Sequence, residues 1–235
     1  MRWPPLTPAV FLRRLNRFTV EVRLGGRRTR AHLPNSGRLR ELLVPGYLMW
    51  LARREGRRRT RYDVQLVALP DGTLVSADAR APNALFREAW AEGRLAPFRS
   101  DIRLIPEPSL GEVRVDFRLE GPEGLAYVEV KSVTLVEGGE GLFPDAPTER
   151  GRHHLSALQA ACAAGARAFI VFIVQRADPR AFRPHDAADP AFGRMLRAAV
   201  AGGVQALAYR CVVSIEEIRL AEAIPVILKE DRLAG

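Results

Sequence analysis

The pattern of the chain changes once, at Pro82, and that change constrains the fold more than any single motif. Before it, short runs of strand character follow one another with no long helix; after it, strands alternate with helices. Residues 18–24 alternate apolar and polar, Gly25-Gly26 follows, and residues 27–33 alternate again. Two glycines between alternating runs predict a two-residue hairpin. Pairing across it puts Phe18, Val20, Val22 and Leu24 with Thr29, Ala31 and Leu33 on a core face. The opposite face then carries Glu21, Arg23, Arg28, Arg30 and His32 and is mainly cationic. Pro34-Asn35-Ser36-Gly37 is a loop and residues 38–43 a short helical turn. Residues 46–53 and 61–69 form a second strand pair with a tip at 54–59, and 73–77 add a short strand. Five short strands without a long helix predict a small barrel of the OB type over residues 1–80. Such barrels hold oligonucleotides on a curved face, with aromatic stacking added to charge. Trp3, Phe18, Tyr47, Trp50 and Tyr62 are available for that, although size favours the core for most of them.

Residues 81–235 have a different plan. A helix over 83–93 carries Leu85, Phe86, Ala89 and Trp90 on one side and Glu88 on its flank. Strands follow at 102–105, 113–119 and 127–136, then a helix over 148–164 with Thr148 as cap and Gly165 beyond its end. A buried strand spans 168–175, and Asp189-Pro190 opens a helix to 201, since Asp caps well and Pro suits the first turn. A strand over 204–213 precedes a tail, 214–235, with one short strand or packed extension. This order predicts a mixed sheet with helices on both faces, an α/β domain behind a β-barrel.

Charge divides the chain at nearly the same place. Residues 1–80 hold 17 Arg against 6 acidic residues, whereas residues 81–235 hold 19 Lys and Arg against 21 acidic residues. The formal charge of +9 therefore belongs to the first third, which suits a polyanion partner because clustered cations release counterions condensed on phosphates. A solvated Arg-rich face is the plainer reading of the same residues. The candidate nucleic-acid contacts are Arg17, Arg23, Arg28, Arg30, His32, Asn35, Arg38, Arg57 and Arg58, joined by Arg150 from the second half. Of 36 basic residues only Lys131 and Lys229 are lysine, and Lys131 lies in a strand-like run where a compact ammonium is not interchangeable with a guanidinium.

Other classes are excluded or disfavoured. The longest apolar run, Ala168-Phe169-Ile170-Val171-Phe172-Ile173-Val174, is far shorter than the roughly 20 residues that span a bilayer. Met1-Arg2-Trp3-Pro4-Pro5 has no apolar segment of a secretory signal, and Cys162 and Cys211 make neither a disulfide framework nor a zinc cluster. The expectation is a cytoplasmic protein with no membrane partner. No nucleophile elbow, HExxH or Walker loop is present, which disfavours acyl chemistry and NTP hydrolysis.

The most informative chemistry lies in Arg114-Val115-Asp116-Phe117-Arg118-Leu119 and Tyr127-Val128-Glu129-Val130-Lys131, joined by a turn at Gly121-Pro122-Glu123-Gly124. If Glu120 pairs with Leu125, Asp116 falls opposite Glu129, while Val115 and Phe117 oppose Val130 and Val128 on an apolar face. Two opposed carboxylates repel unless a cation sits between them. A hard divalent ion, Mg²⁺ or Mn²⁺, would be held by Asp116 and Glu129, leaving positions for water and phosphate oxygen. Lys131 would orient a water and stabilise charge on the attacked phosphorus, and Glu88 could supply a further carboxylate. The plainer reading has Lys131 merely neutralising the pair. The Gly- and Pro-rich segment 137–151 resembles a lid or phosphate-facing loop, from which Arg150, Arg152 and His154 could aim at a scissile backbone. Its plain alternatives are Asp145 as turn former, Thr148 as cap, and His153 and His154 as helix-surface residues.

Over nearly its whole length the chain resembles the sugar fermentation stimulation protein family. The resemblance is carried by Arg17-Phe18, His32-Leu33-Pro34-Asn35-Ser36-Gly37, Pro82-Asn83, Arg114-Val115-Asp116-Phe117 and Val128-Glu129-Val130-Lys131-Ser132-Val133-Thr134-Leu135. It continues through Phe143-Pro144-Asp145-Ala146, Thr148-Glu149-Arg150-Gly151, His154-Leu155, Phe172-Ile173-Val174-Gln175-Arg176, Asp189-Pro190 and Gly203-Val204. It implies an N-terminal OB-like domain and a C-terminal domain of the PD-(D/E)xK restriction-endonuclease-like class. It further implies DNA binding with little sequence preference and a regulatory role in sugar metabolism. By position, Asp116, Glu129 and Lys131 match the nuclease-like triad and Glu88 the helix acid of some members. The family commonly has Cys, Thr and Met where this chain has Leu33, Ser36 and Leu39. Two readings follow: a Mg²⁺- or Mn²⁺-dependent nuclease on single- or double-stranded DNA, or a non-enzymatic DNA-binding regulator with a vestigial site. Two-fold partners are common in this fold class, so a homodimer is compatible with the sequence, which marks no interface.

Overall fold

Gly25 and Gly26, with φ of +52° and +80°, make the turn that a right-twisted hairpin needs. In the computed structural model, which describes residues 1–55 and 60–229, this hairpin joins β2 (Thr19–Leu24) to β3 (Arg27–His32). Val20 pairs with Ala31 and Val22 with Thr29, the expected register. Around it run β1 (Leu6–Asn16), β4 (Leu48–Arg53) and β5 (Tyr62–Ala68) in the order β3-β2-β1-β4-β5, and His32 opposite Asp63 closes the ring. The result is a five-stranded OB barrel filled by Phe11, Val20, Val22, Leu33, Met49, Leu51 and Val64.

The barrel differs from expectation in one member. The short strand β6 (Leu74–Ser76) hangs on the outer side of β5, and the fifth strand of the closed ring is β1, which the alternation pattern does not announce. Its Pro8 explains why. Residues 6–10 pair with β4 and residues 10–16 with β2, so Pro8 lies where β1 has a single neighbour and a missing N–H breaks no second ladder. Phe18 also departs from its assigned core face: it precedes β2, in the link from β1, and is 44% exposed.

The second half begins with α1 (Ala81–Ala91), then β7 (Arg103–Pro106), β8 (Ser109–Leu110), β9 (Val113–Arg114), β10 (Phe117–Gly121) and β11 (Gly124–Val133). After β12 (Val136–Glu137) and β13 (Glu140–Phe143) come α2 (Glu149–Ala163), β14 (Arg167–Val174), β15 (Ala181–Pro184) and α3 (Pro190–Ala201). β16 (Gln205–Val213) and β17 (Ile218–Ile224) complete a sheet of order β17-β16-β14-β11-β10-β7, parallel through β16-β14-β11 and antiparallel outside. β14 explains the continuous apolar run. Phe169, Val171 and Ile173 pack with α1, while Ala168, Ile170, Phe172 and Val174 pack with α2 and α3, so both faces of the strand are core. α1 adds Phe86, stacked on Phe117 with ring centroids 5.1 Å apart. Asp189 and Thr148 cap their helices, accepting from Phe192 N at 3.0 Å and Gly151 N at 3.1 Å.

The strand expected over 113–119 is broken. β9 pairs with β8, and the chain rejoins the main sheet only at Phe117. Val115 therefore joins the α2–α3 core while Phe117 joins the α1 core, rather than sharing one face. Barrel and sheet are joined by buried polar bonds. Ser76 N donates to Gln175 O at 3.0 Å, Ser76 Oγ to Gln175 Oε1 at 2.9 Å, and Gln175 Nε2 to Ser132 Oγ at 2.9 Å. No helix among the described residues is long and apolar enough to cross a membrane.

Candidate active site

Glu129 and Lys131 are two residues apart on β11 and so point to one side of the sheet, while Val128 and Val130 enter the α1 core. The β10–β11 ladder has the expected register, Glu120 opposite Leu125 and Phe117 opposite Val128. One step further the backbone parts and the side chain of Asp116 takes over. Its Oδ2 accepts the Val130 N–H at 2.7 Å and its Oδ1 accepts from Asn83 Nδ2 at 2.6 Å. Asp116 is thereby held beside the strand that bears Glu129.

Glu129 is buried, and two groups converge on its Oε1. Lys131 Nζ donates at 2.6 Å and His154 Nδ1, from α2, hydrogen-bonds the same oxygen. Arg150 Nε approaches His154 Nε2 at 3.4 Å, which makes a chain from Arg150 through His154 to Glu129. Glu129 Oε2 is buried and has no hydrogen-bond partner.

The two acids are electrostatically unlike. Burial, and then the negative charge of Glu129, push Asp116 up to about 6, against which its bonds from Val130 and Asn83 act. Burial also acts to raise Glu129, but the His154 hydrogen bond and the Lys131 charge outweigh it and hold Glu129 below the usual carboxylate range. A bare buried oxygen beside a carboxylate that resists ionisation suits a divalent cation, which would supply the positive charge that Asp116 lacks. Asp116 and Glu129 fit as its protein ligands. Among the described residues, no group of three or more His, Cys, Asp or Glu is placed to hold a metal ion.

These groups line a cleft of about 530 Å³ between barrel and sheet. Of the predicted nucleic-acid residues, Arg17, Asn35, Arg38 and Arg150 border it. Asn35 is used internally, accepting from Gly37 N at 2.9 Å and donating to Ala77 O at 3.2 Å. The loop is drawn to the sheet by Asp145, whose Oδ2 accepts from Arg38 N at 2.6 Å and Leu39 N at 3.2 Å. Gly37 permits the approach, since a Cβ there would lie 2.6 Å from that oxygen. Arg14 binds the carbonyls of Arg17, Gly37 and Arg38 at 2.7, 2.8 and 3.0 Å.

Other candidates lie elsewhere. Arg23, Arg28, Arg30 and His32 are on the hairpin and outside the cleft lining; Arg28 is 3.8 Å from Glu21, and His32 Nδ1 contacts Phe18 O at 3.0 Å. Arg57 and Arg58 fall outside the described residues. Glu88 is a correction. It accepts from the Met1 ammonium at 2.9 Å and borders a separate recess with Glu92, Arg94 and Glu217. Five residues along α1 carry it about 140° around and about 7.5 Å beyond Asn83, and Asn83 is the residue that meets Asp116. The expected lid is a pinned wall: Phe143 packs on Phe192 with centroids 5.2 Å apart, and Thr148 N donates to Asp189 Oδ2 at 2.8 Å.

The contact of His154 with Glu129 goes beyond the sequence expectation, although the helix carries a signal for it. Gly151, His154, Leu155 and Leu158 are all buried, a one-sided spacing that marks His154 as inward-facing. Asn83 carries no such signal.

Known proteins share this architecture. The descriptions "SfsA N-terminal OB domain" and "Sugar fermentation stimulation protein RE domain" match residues 12–77 and 80–217. The sugar fermentation stimulation protein homolog of Geobacter metallireducens is 46% identical over 233 residues, covering 97% of this chain and 100% of that protein. The homolog of Moorella thermoacetica is 45% identical over 227 residues, covering 95% and 97%. The solved structure of Pyrococcus furiosus SfsA in complex with Ca²⁺ superposes with a TM-score of 0.90 at 32% identity, covering 97% of this chain and 98% of that one. With barrel and sheet each matched separately and whole relatives aligned across both, the chain belongs to the sugar fermentation stimulation protein (SfsA) family.

Proposed function

We propose that this chain binds DNA with little sequence preference and hydrolyses its phosphodiester bonds with a divalent metal, Mg²⁺ or Mn²⁺. Residues 1–80 grip the strand and residues 81–235 carry the chemistry. The observation that supports this most is the buried, unpartnered Oε2 of Glu129 beside an Asp116 whose ionisation burial opposes. The Pyrococcus furiosus relative, described in complex with Ca²⁺, adds an oxygen-seeking divalent ion to the argument.

Asp116 and Glu129 would hold the ion, which supplies Lewis-acid neutralisation of charge on the attacked phosphate. Lys131 offers two further N–H donors beyond its bond to Glu129, enough to orient a water and to meet charge developing at phosphorus. His154 and Arg150 hold the Glu129 carboxylate in one orientation, and Asn83 does the same for Asp116. Arg17, Arg38 and Arg150, at the rim of the cleft, face a phosphate backbone as counter-charges.

The test is cleavage of labelled single- and double-stranded DNA in Mg²⁺, Mn²⁺ or EDTA, beside Asp116→Asn and Lys131→Ala. Metal-dependent cutting that both variants lose, with DNA binding kept, is the expected result. Binding without cutting in any metal would replace this reading with a non-enzymatic DNA-binding protein.

A further inference from the structure

Phe18 is the one aromatic side chain among the exposed large hydrophobic residues described. Its backbone is immobilised. Phe18 N donates to Asn16 Oδ1 at 3.0 Å, and Phe18 O accepts from Leu33 N at 2.9 Å and contacts His32 Nδ1 at 3.0 Å. An aromatic ring on a fixed backbone, left partly in water, gains nothing for the barrel core. Its neighbours are cationic or aromatic: the Arg17 guanidinium carbon lies 5.4 Å from the ring centroid and the His32 ring 6.2 Å away. Arg17 in turn borders the cleft that holds Asp116, Glu129 and Lys131, so the ring stands next to the cleft's barrel-side rim. Phe18 is not itself in the cleft lining; its place beside the cleft is fixed by Arg17, which is in it.

From this placement we infer that Phe18, flanked by Arg17 and His32, is a stacking platform for an unpaired nucleobase of the strand whose backbone enters the cleft. The inference rests on the nucleic-acid reading above and narrows it to strands with unstacked bases. A ring of this kind binds any base through its π-face, which matches a site without sequence preference, and the cationic neighbour favours a polyanion over an apolar peptide. Fully paired duplex hides its base faces in the stack and cannot use the platform. Single strands, flaps and frayed ends can.

The experiment is fluorescence anisotropy in EDTA with labelled oligothymidylate and with a labelled closed hairpin duplex, on wild type, Phe18→Ala and Phe18→Trp. Phe18→Ala is expected to weaken single-strand binding about tenfold and to leave duplex binding within about twofold. Phe18→Trp should bind single strands as wild type does, and its added fluorescence should be quenched on binding. Thermal melts matching wild type establish that the variants fold. Equal loss on both DNAs, no loss on the single strand, or an unquenched Trp in a complex that forms overturns the inference and leaves the nuclease reading standing. Wild type that binds neither DNA overturns both.

Discussion

Barrel and sheet both depend on arginine, and they put most of it to different use. In the sheet half, Arg152, Arg167, Arg183 and Arg210 meet carboxylates of Asp189, Asp101, Glu140 and Glu222. These guanidiniums clamp one element to another. In the barrel, Arg54 meets the buried Asp63 at 3.0 Å, but Arg17, Arg23, Arg30 and Arg38 are exposed and acids are few, with Glu21 serving both Arg13 and Arg28. One side chain is thus an internal fastener where acids or carbonyls match it and a solvated surface charge where they do not. Net charge alone does not separate the two uses, whereas its distribution along the chain does.

The contrast can be broken most sharply at the carboxylates. Glu129→Gln should lower metal-dependent cleavage on the order of 10³-fold with DNA affinity in EDTA kept, as read by single-turnover kinetics beside anisotropy. A drop in affinity equal to the drop in rate would mean that the two halves do not divide grip from chemistry.

A fastener should fail thermodynamically. Asp189→Ala removes acceptors for Thr148 N, Phe192 N and Arg152, and urea unfolding near pH 7 should show a loss of about 2–3 kcal/mol. Burial raises the Asp189 carboxyl, but the Thr148 and Phe192 N–H bonds and the Arg152 charge outweigh it, so it stays below the usual aspartate range. A carboxyl depressed on folding stabilises fully above its unfolded value and loses that benefit as pH falls through its folded value. The gap between wild type and Asp189→Ala should therefore narrow below about pH 4.

Counter-ions should fail electrostatically. Arg17→Ala with Arg38→Ala should weaken binding to duplex DNA and make log affinity fall less steeply with log salt, by about 0.9 in slope for each phosphate that is no longer neutralised. The smallest effect belongs to Arg23→Ala on the exposed hairpin, which should move unfolding stability by less than about 0.5 kcal/mol. A larger effect there would make that arginine a fastener after all.

Much of this is legible in the sequence because it follows from periodicity and turn chemistry. Gly25-Gly26 set the first hairpin's register, and the turn after Glu120 brings Asp116 beside Glu129. What escapes has physical causes. β1 is hidden by Pro8, which is tolerated only because the ladder there is one-sided. The break before Phe117 is hidden because a carboxylate, not a backbone carbonyl, takes the Val130 N–H. Glu88 falls away from the site because proximity along α1 is not proximity in space. The Asp145 bridge joins residues more than a hundred apart and depends on a missing Cβ at Gly37, which no local pattern announces.

Gln175 has a mechanical meaning. One amide is fastened at one end to β6, on the outer side of the barrel, and at the other to Ser132, the neighbour of Lys131. Swinging the barrel away would strand those buried groups at about 1–3 kcal/mol each. The width of the cleft between barrel and sheet is thus set when the chain folds, without a jaw that must open.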